Sequence, residues 1–334
     1  MRPASGMEYR NLGRAGVKVS PFCVGCAYFG IRLNEAESVR LVHAALDAGI
    51  NFFDTANAYA LGRSEEYLGQ GIKGRRNAVV LATKVSAPMG HGPNDSGGSR
   101  YHIMAQVETS LRRLGTDHID LYQLHSRDLT TPLEETLRAL DDLQQQGKVH
   151  YFGTSNSVAW RLCETLWASD RLGIAPIVSE QASYSLFDRA LEAEVLPFCR
   201  TYGIAVIAYG PLAGGWLSGR YRRDQSPPPD SRLAVRGTMV GAADEARAFD
   251  VLERLAPLAA DRGITLSQLA LGWLLAQPGV TTALIGPRTV EQLHDNLGAL
   301  AAKVTPAELA AIDEIVPPGT KVVPEAPAPG AMLI

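Results

Sequence analysis

The sequence predicts an α/β fold, specifically a (β/α)8 TIM barrel, and three observations carry that prediction. Seven apolar runs end on a residue able to do chemistry or grip a ligand: GINFFDTANAY, AVVLATK, HIDLYQLH, VHYFGTSN, APIVSEQ, GIAVIAYGP and TTALIGPR. They deliver Asp54, Lys84, His125, Asn156, Gln181, Tyr209 and Gly286. Continuous apolar runs of about four to eight residues suit strands buried on both faces, which a parallel sheet covered by helices requires. Segments of helical periodicity lie between most of these runs, and alternating strands and helices argue for βαβ units instead of a sandwich. When strand after strand finishes on a polar group, those groups share one rim, and the C-terminal rim of such a barrel is where sites are built.

The elements follow in order. MEYRNLGRAGVKVS, with turn signals between short segments, reads as an N-terminal β-hairpin closing the barrel's bottom. SPFCVGCAYFG is the first barrel strand. Asn34 to Ala48 places Val39, Val42, Ala45 and Leu46 on one stripe with Leu41 at its edge, and Gly49 is the stop. Further helices read near 64–73, 102–114, 133–147, 157–168, 191–203, 267–277 and 289–300, giving eight strand–helix units. Two helices break the alternation, Glu245 to Asp261 and Pro306 to Ile315, and are expected outside the barrel. The Gly-, Pro- and Arg-rich stretch Gly214 to Gly241 leaves the catalytic rim and reads as a lid, while Ser86 to Ser99 forms a second rim loop. The chain reads as one domain over 1–334, with a core of about 8–316 and a Pro-rich tail, 317–334, extended along the surface.

Composition agrees. With 334 residues, 46% hydrophobic and 20% charged, the chain can bury the core of a barrel of roughly 250 residues plus insertions. A net charge of −3 supplies no electrostatic footprint for nucleic acid or an acidic membrane. No apolar segment of signal-peptide or spanning length is seen, so a cytoplasmic location is expected. Cys23 and Cys26 form a CxxC, but neither a helix start nor a second ligand pair accompanies it, and burial in the first strand is the simpler reading. The seven histidines show no HExxH-like spacing, so no metal site is expected. The sequon at Asn94 carries no weight in a cytoplasmic protein.

Four titratable groups, Asp54, Tyr59, Lys84 and His125, arrive at strand ends or just beyond. A phenol of ordinary pKa about 10 exchanges protons poorly near neutrality. A lysine ammonium beside it is expected to lower that value, while a carboxylate holds the lysine charged and in place. Tyr59 thus reads as a general acid, with His125 orienting a carbonyl or sharing in proton relay. Each residue alone has a plainer explanation: a strand cap, a solvated lysine, a half-buried aromatic, a satisfied histidine. Their joint placement is what carries weight. A hydride source is missing from the set, so a cofactor is required.

DTANAY, LATK and LYQLHS resemble the catalytic tetrad of the aldo-keto reductases, and GTSN, SEQASYSL, YGPLAGG and IGPRTVEQLHDNL match that family in order and spacing. The wording of the motifs is similar to the branch holding bacterial reductases and potassium-channel β subunits. The resemblance implies reduction of an aldehyde or ketone by NADPH without a Rossmann unit, in line with the absence of GxGxxG after a strand. By that likeness Ser155, Asn156 and Gln181 hold the nicotinamide carboxamide, Tyr209 stacks on the ring, and Asp54 lies near it. The pyrophosphate cradle falls on Gly210, Pro211, Leu212, Gly214 and Gly215 with Arg220 and Arg232, whose plainer role is solubilising charge. The adenosine grip falls on Gly286, Arg288, Gln292, Asp295 and Asn296, with Arg288 on the 2′-phosphate of NADP+. Cys26 stands where many relatives carry Thr, so one cofactor contact is lost or passes to backbone. Tyr28, Trp216 and the Ser86–Ser99 loop are expected to join Tyr59 and His125 in the pocket for a small carbonyl compound. Two alternatives accompany this reading: a redox-sensing NADP(H)-binding regulatory subunit, and a reductase of a keto-sugar or other biosynthetic intermediate. Oligomeric state is not readable.

Overall fold

The computed structural model describes residues 7–126, 128–229, 231, 233–234 and 241–323. A short antiparallel hairpin, β1 (Arg10–Asn11) and β2 (Lys18–Val19), precedes the barrel. The barrel strands are β3 (Phe22–Gly25), β4 (Phe52–Asp54), β5 (Val80–Val85), β6 (Ile119–Leu124), β7 (Val149–Ser155), β8 (Ser179–Ser183), β9 (Ala205–Tyr209) and β10 (Val280–Ile285). All pair in parallel with their sequence neighbours, and β10 closes onto β3.

The intervening helices are α1 (Glu35–Asp47), α2 (Arg63–Ile72), α3 (Arg100–Leu114), α4 (Leu133–Gln145), α5 (Ala159–Leu172), α6 (Val195–Tyr202), α8 (Leu266–Ala276) and α9 (Val290–Gly298). Their ends follow local chemistry. Asn34 caps α1 in a reciprocal box with Glu37, Thr265 does the same for α8 with Gln268, and left-handed glycines 115 and 173 end α3 and α5. The two helices outside the alternation are α7 (Ala242–Ala260), three residues earlier than its sequence signal, and α10 (Pro306–Ile315). They pack on each other, and α7 also packs on α8.

Period-2 alternation divides the strands' side chains between two cores. The larger lies between sheet and helices. The smaller fills the lower barrel with Cys23, Phe52, Val80, Ala82, Leu121, Val178, Ala205 and Ile207, and the hairpin plugs it from below with Leu12, Ala15 and Val19. Above this apolar layer the inward positions turn polar, with Asp54, Lys84, Gln123, Ser155 and Gln181 all buried.

The described start of the tail, 317–323, is docked where a surface course was expected, and the rest of 317–334 lies outside the described residues. Val322 donates its amide to Phe187 O at 2.8 Å, Arg189 N donates to Thr320 O at 2.8 Å, and Val322 and Val323 are buried. Two valines give this segment apolar area to bury, which its prolines obscured in the sequence.

The plug depends on one turn. Gly13 has φ +59°, and a Cβ there would lie 2.5 Å from Val178 O and 2.7 Å from both Ala205 N and Gly203 O. Because backbone atoms cannot swing aside, Gly13→Ala is expected to destabilise the fold by about 2 kcal/mol or more. A lowered urea midpoint measures this; an unchanged midpoint would show that the hairpin is not anchored as described.

Candidate active site

The polar layer is organised around Asp54, which ends β4. Lys84 Nζ, from β5, donates to Asp54 Oδ1, to Thr55 O at 2.8 Å and to the Tyr59 hydroxyl at 3.4 Å. Gln123 from β6 and Gln181 from β8 each donate to Asp54 Oδ2 at 2.9 Å. Three side chains from β5, β6 and β8 are thereby fixed by one carboxylate, and Tyr59 is tied to it through Lys84. The His125 ring stands edge-on to Tyr59, with centroids 5.5 Å apart and planes at 82°.

Lys84 is wholly buried beneath the site. Burial alone would lower its pKa, but Asp54 and Tyr59 outweigh it and hold the ammonium above its ordinary value. Tyr59 corrects the sequence expectation. Burial raises its pKa, Lys84 opposes this, Asp54 assists it, and the net direction is upward from 10. Burial outweighs the lysine's field, and the carboxylate that secures the lysine opposes that field as well. Burial, with help from Lys84, pushes His125 down to about 3, so the ring is neutral throughout the ordinary pH range. Its Nδ1 is buried without a partner among the described residues.

Tyr59 and His125 open onto a cleft of about 750 Å³ along the C-terminal rim. Its lining includes Tyr28, Asp54, Ser155, Asn156, Gln181 and Tyr209, the stretch Gly210–Trp216, Arg220, Gly286, Arg288, Gln292, Asp295 and Asn296. Tyr209 donates to Asn156 Oδ1 at 2.8 Å, and Asn156 Nδ2 donates to Ser155 Oγ at 3.0 Å, so these three form one cluster. Positive φ values at Gly210, Ala213, Gly214 and Gly215 turn the chain after β9 into a curl of the kind that presents amides to anions. Beyond β10, Arg288 N donates to Gln292 Oε1 at 2.8 Å, just before the Thr289 cap of α9.

Two expectations, for Cys26 and for the Ser86–Ser99 loop, need adjustment. Cys26 is fully buried, belongs to the core between sheet and helices, and does not line the cleft. Its amide bonds Asp54 O, so its side chain turns into the wall. Both CxxC thiols are pushed well up by burial, as suits packing and not redox exchange. The described lining includes nothing from Ser86–Ser99, because Asp128 accepts from Gly98 N at 2.7 Å and Gly97 N bonds back to Ser86 O. Trp216 lines the cleft, as expected, and packs edge-on against Tyr221 and Phe249. Arg232 lies outside the described residues.

Sequence reasoning missed Ser183, Ser185, Asp188 and Val323, which also line the cleft. The first three sit in the SYSLFD that continues β8 past Gln181, a signal present but unread; Val323 arrives through the docked tail. Glu180 was missed as well. Fully buried behind Gln181, it accepts from the Thr154 hydroxyl and from Ser157 N at 2.8 Å, and so ties down the turn carrying Ser155 and Asn156.

A model of the aldo/keto reductase family matches residues 21–317. The chain is 39% identical over 332 residues to an uncharacterized oxidoreductase, YrpG, of Bacillus subtilis, covering 96% of this chain and 99% of that protein. It is 39% identical over 302 residues to a probable voltage-gated potassium channel subunit beta of rice (88% and 91% covered) and 37% identical over 320 residues to one of Arabidopsis thaliana (93% and 97% covered). The chain therefore belongs to the aldo/keto reductase family, and its class is that of the carbonyl-reducing oxidoreductases. Nicotinamide cofactors are the family's general partners. No described helix is long and apolar enough to cross a membrane.

Burial raises Glu180 from 4.5 to about 8, against the hydrogen bonds from Thr154 and Ser157. The folded carboxyl keeps its proton up to about pH 8 while the unfolded one loses it near 4.5. Stability from this group is therefore full below 4.5 and declines between 4.5 and 8, by up to about 1.4 kcal/mol per pH unit. Glu180→Gln, permanently neutral, should flatten urea midpoints across that window. Parallel pH profiles for variant and wild type would mean that Glu180 is ionised in the folded protein.

Proposed function

We propose that this protein uses NADPH to reduce an aldehyde or ketone to an alcohol, with Tyr59 supplying the proton. The observation that carries this is the Tyr59 hydroxyl at the cleft floor, 3.4 Å from a buried lysine that a carboxylate holds in place. When bound, a reduced nicotinamide would supply the hydride, and Ser155, Asn156, Gln181 and Tyr209 at the ends of β7, β8 and β9 would hold it.

The lining fits such a group by its chemistry. Ser155, Asn156 and Gln181 offer amide and hydroxyl groups suited to a carboxamide, and Tyr209 offers a ring face beside them. The glycine-rich curl with Arg220 suits a pyrophosphate, and Arg288 at the start of α9 suits a 2′-phosphate. Asp295 is engaged by Thr265 and Gln268, so its part is to position this end of the cleft.

A raised pKa keeps Tyr59 protonated at neutral pH, the form a general acid must have. As its proton leaves, the phenolate forms beside the Lys84 ammonium, so the field that fails to lower the resting pKa acts where charge develops. Neutral His125 cannot compete as an acid, and its Nε2 is the nitrogen left to direct the carbonyl oxygen. Tyr28, Tyr59, His125 and the edge of Trp216 give the substrate an aromatic enclosure.

The plant relatives, named as channel β subunits, favour a second reading in which the same site senses NADP(H) and turns over slowly. NADPH oxidation over a panel of aldehydes, ketones, quinones and keto-sugars separates the two. Rapid turnover supports the reductase, whereas tight binding with negligible turnover on every compound supports the sensor.

Tyr59→Phe is expected to lower kcat by about 10²- to 10⁴-fold with NADPH affinity within about twofold. Undiminished turnover would remove Tyr59 from the chemistry. Arg288→Leu should weaken NADPH by at least about tenfold and leave NADH nearly unchanged; equal losses for both would place Arg288 elsewhere than at the 2′-phosphate.

A further inference from the structure

At the opposite end of the barrel, His118, Asp120 and His150 bring one ligand atom each to within 4.8 Å of one another. Asp120 is on β6 and His150 on β7. The register pairs Ile119 with Val149 and Leu121 with Tyr151, so Asp120 and His150 stand side by side. Leu121 belongs to the inner core, so its neighbour Asp120 projects from the outer wall of the barrel. His118 lies two residues before Asp120 and shares its face.

The donor atoms are already close together. His150 Nδ1 is 3.2 Å and His118 Nε2 4.0 Å from the same oxygen, Asp120 Oδ1. Donors around tetrahedral zinc, with bonds of about 2.0–2.2 Å, stand about 3.3 Å apart. The other carboxylate oxygen, Oδ2, is held at 2.8 Å by Arg76 Nη2 and at 2.8 Å by Leu81 N, which leaves Oδ1 for a further partner. Arg76 is itself fixed by Thr116 Oγ1, Val79 O and His118 O. Asp117 Oδ1 sits 2.7 Å from His118 Nδ1 and directs Nε2 towards Asp120, the outer carboxylate arrangement that orients metal-bound histidines. The two imidazoles stack 4.6 Å apart at 26°, so one ring must turn for both lone pairs to meet a single ion. His150 is about half exposed, which gives an ion a way in and a water a fourth position.

We infer that this cluster is a surface site for a divalent transition metal of zinc type, bound by His118 Nε2, Asp120 Oδ1 and His150 Nδ1. Two imidazoles and one carboxylate suit Zn²⁺, and Ni²⁺ or Cu²⁺ in its place, over Mg²⁺ or Ca²⁺. The ion would join β6 to β7 at the N-terminal face, where a barrel holds stability and not chemistry.

The test is calorimetric titration of the full chain, free of any histidine tag, with ZnCl2 alone, beside His150→Ala, His118→Ala and Asp117→Asn. Thermal melts with and without Zn²⁺ accompany it. The expected result is one saturable site in wild type and a melting temperature raised by about 2 °C or more near saturation. Each histidine variant should weaken binding by at least about tenfold, and Asp117→Asn should weaken it measurably while leaving all three ligands in place. No saturable binding up to about 1 mM, or binding equally strong in both histidine variants, overturns the proposal; the second result would assign the ion to other surface groups such as exposed Cys163. Tyr59-dependent turnover is untouched by these surface variants, so its loss or presence reports on the reductase reading separately.

Discussion

A lysine and an aspartate buried inside a barrel are stable only if every remaining hydrogen-bonding site on both is filled, and this requirement shapes the upper half of the molecule. Two desolvated charges cost more than their mutual attraction returns unless further polar groups complete the set. Here Asp54 takes three donors and Lys84 three acceptors, drawn from β4, β5, β6, β8 and the turn after β4. Moving any one of those strands by a residue would expose a charge to the apolar layer below. The network therefore fixes the register of half the barrel and the place of Tyr59 together. Replacing Gln123 or Gln181 would consequently disturb the tyrosine without touching it.

Much of this was legible because a parallel barrel strand is a simple object in sequence: an apolar run with a terminus. The seven rim residues, the hairpin and both extra helices follow from that grammar. What escaped depends on direction and on distance along the chain. Cys26 lies at the right height but on the wrong side, since alternation from the inward Cys23 turns Gly25 to the cleft and carries Val24 and Cys26 outward. The Tyr59 pKa has the opposite sign from expectation because proximity to Lys84 is readable whereas the depth of burial and the opposing Asp54 are not. Val323 reaches the cleft from more than a hundred residues beyond β8, through a tail whose prolines hid two anchoring valines. His150 and Asp120 are thirty residues apart and meet only through strand register.

Backbone strain follows the same division. Among the described residues, the non-glycine positions with positive φ are Ala60, Leu61, Ser86, Asn156 and Ala213, and all lie in loops at the C-terminal face. Such conformations cost on the order of 1–3 kcal/mol each and persist where surrounding contacts enforce them. Ala60 and Leu61 turn the chain directly after Tyr59, and Asn156 is held by the Glu180-anchored turn. The lower barrel, filled by aliphatic side chains and stoppered by the hairpin, supplies the stability against which that strain is set.

β6 shows how one strand serves both ends without mixing them. Its inward residues run from Leu121 in the apolar layer to Gln123 on Asp54, and it delivers His125 to the cleft. Its outward Asp120 lies on the other side of the wall, mostly buried against Arg76 and the Leu81 amide. Between the two stands Leu121, wholly buried and packed among Phe52, Val80 and Ala82. A dense apolar layer has no second arrangement to adopt, and coupling between sites needs an element with two states. An ion gained or lost at the lower end would therefore change how firmly β6 and β7 are joined while leaving the packing around Tyr59 as it was. Stability and chemistry can accordingly change independently on the same strand.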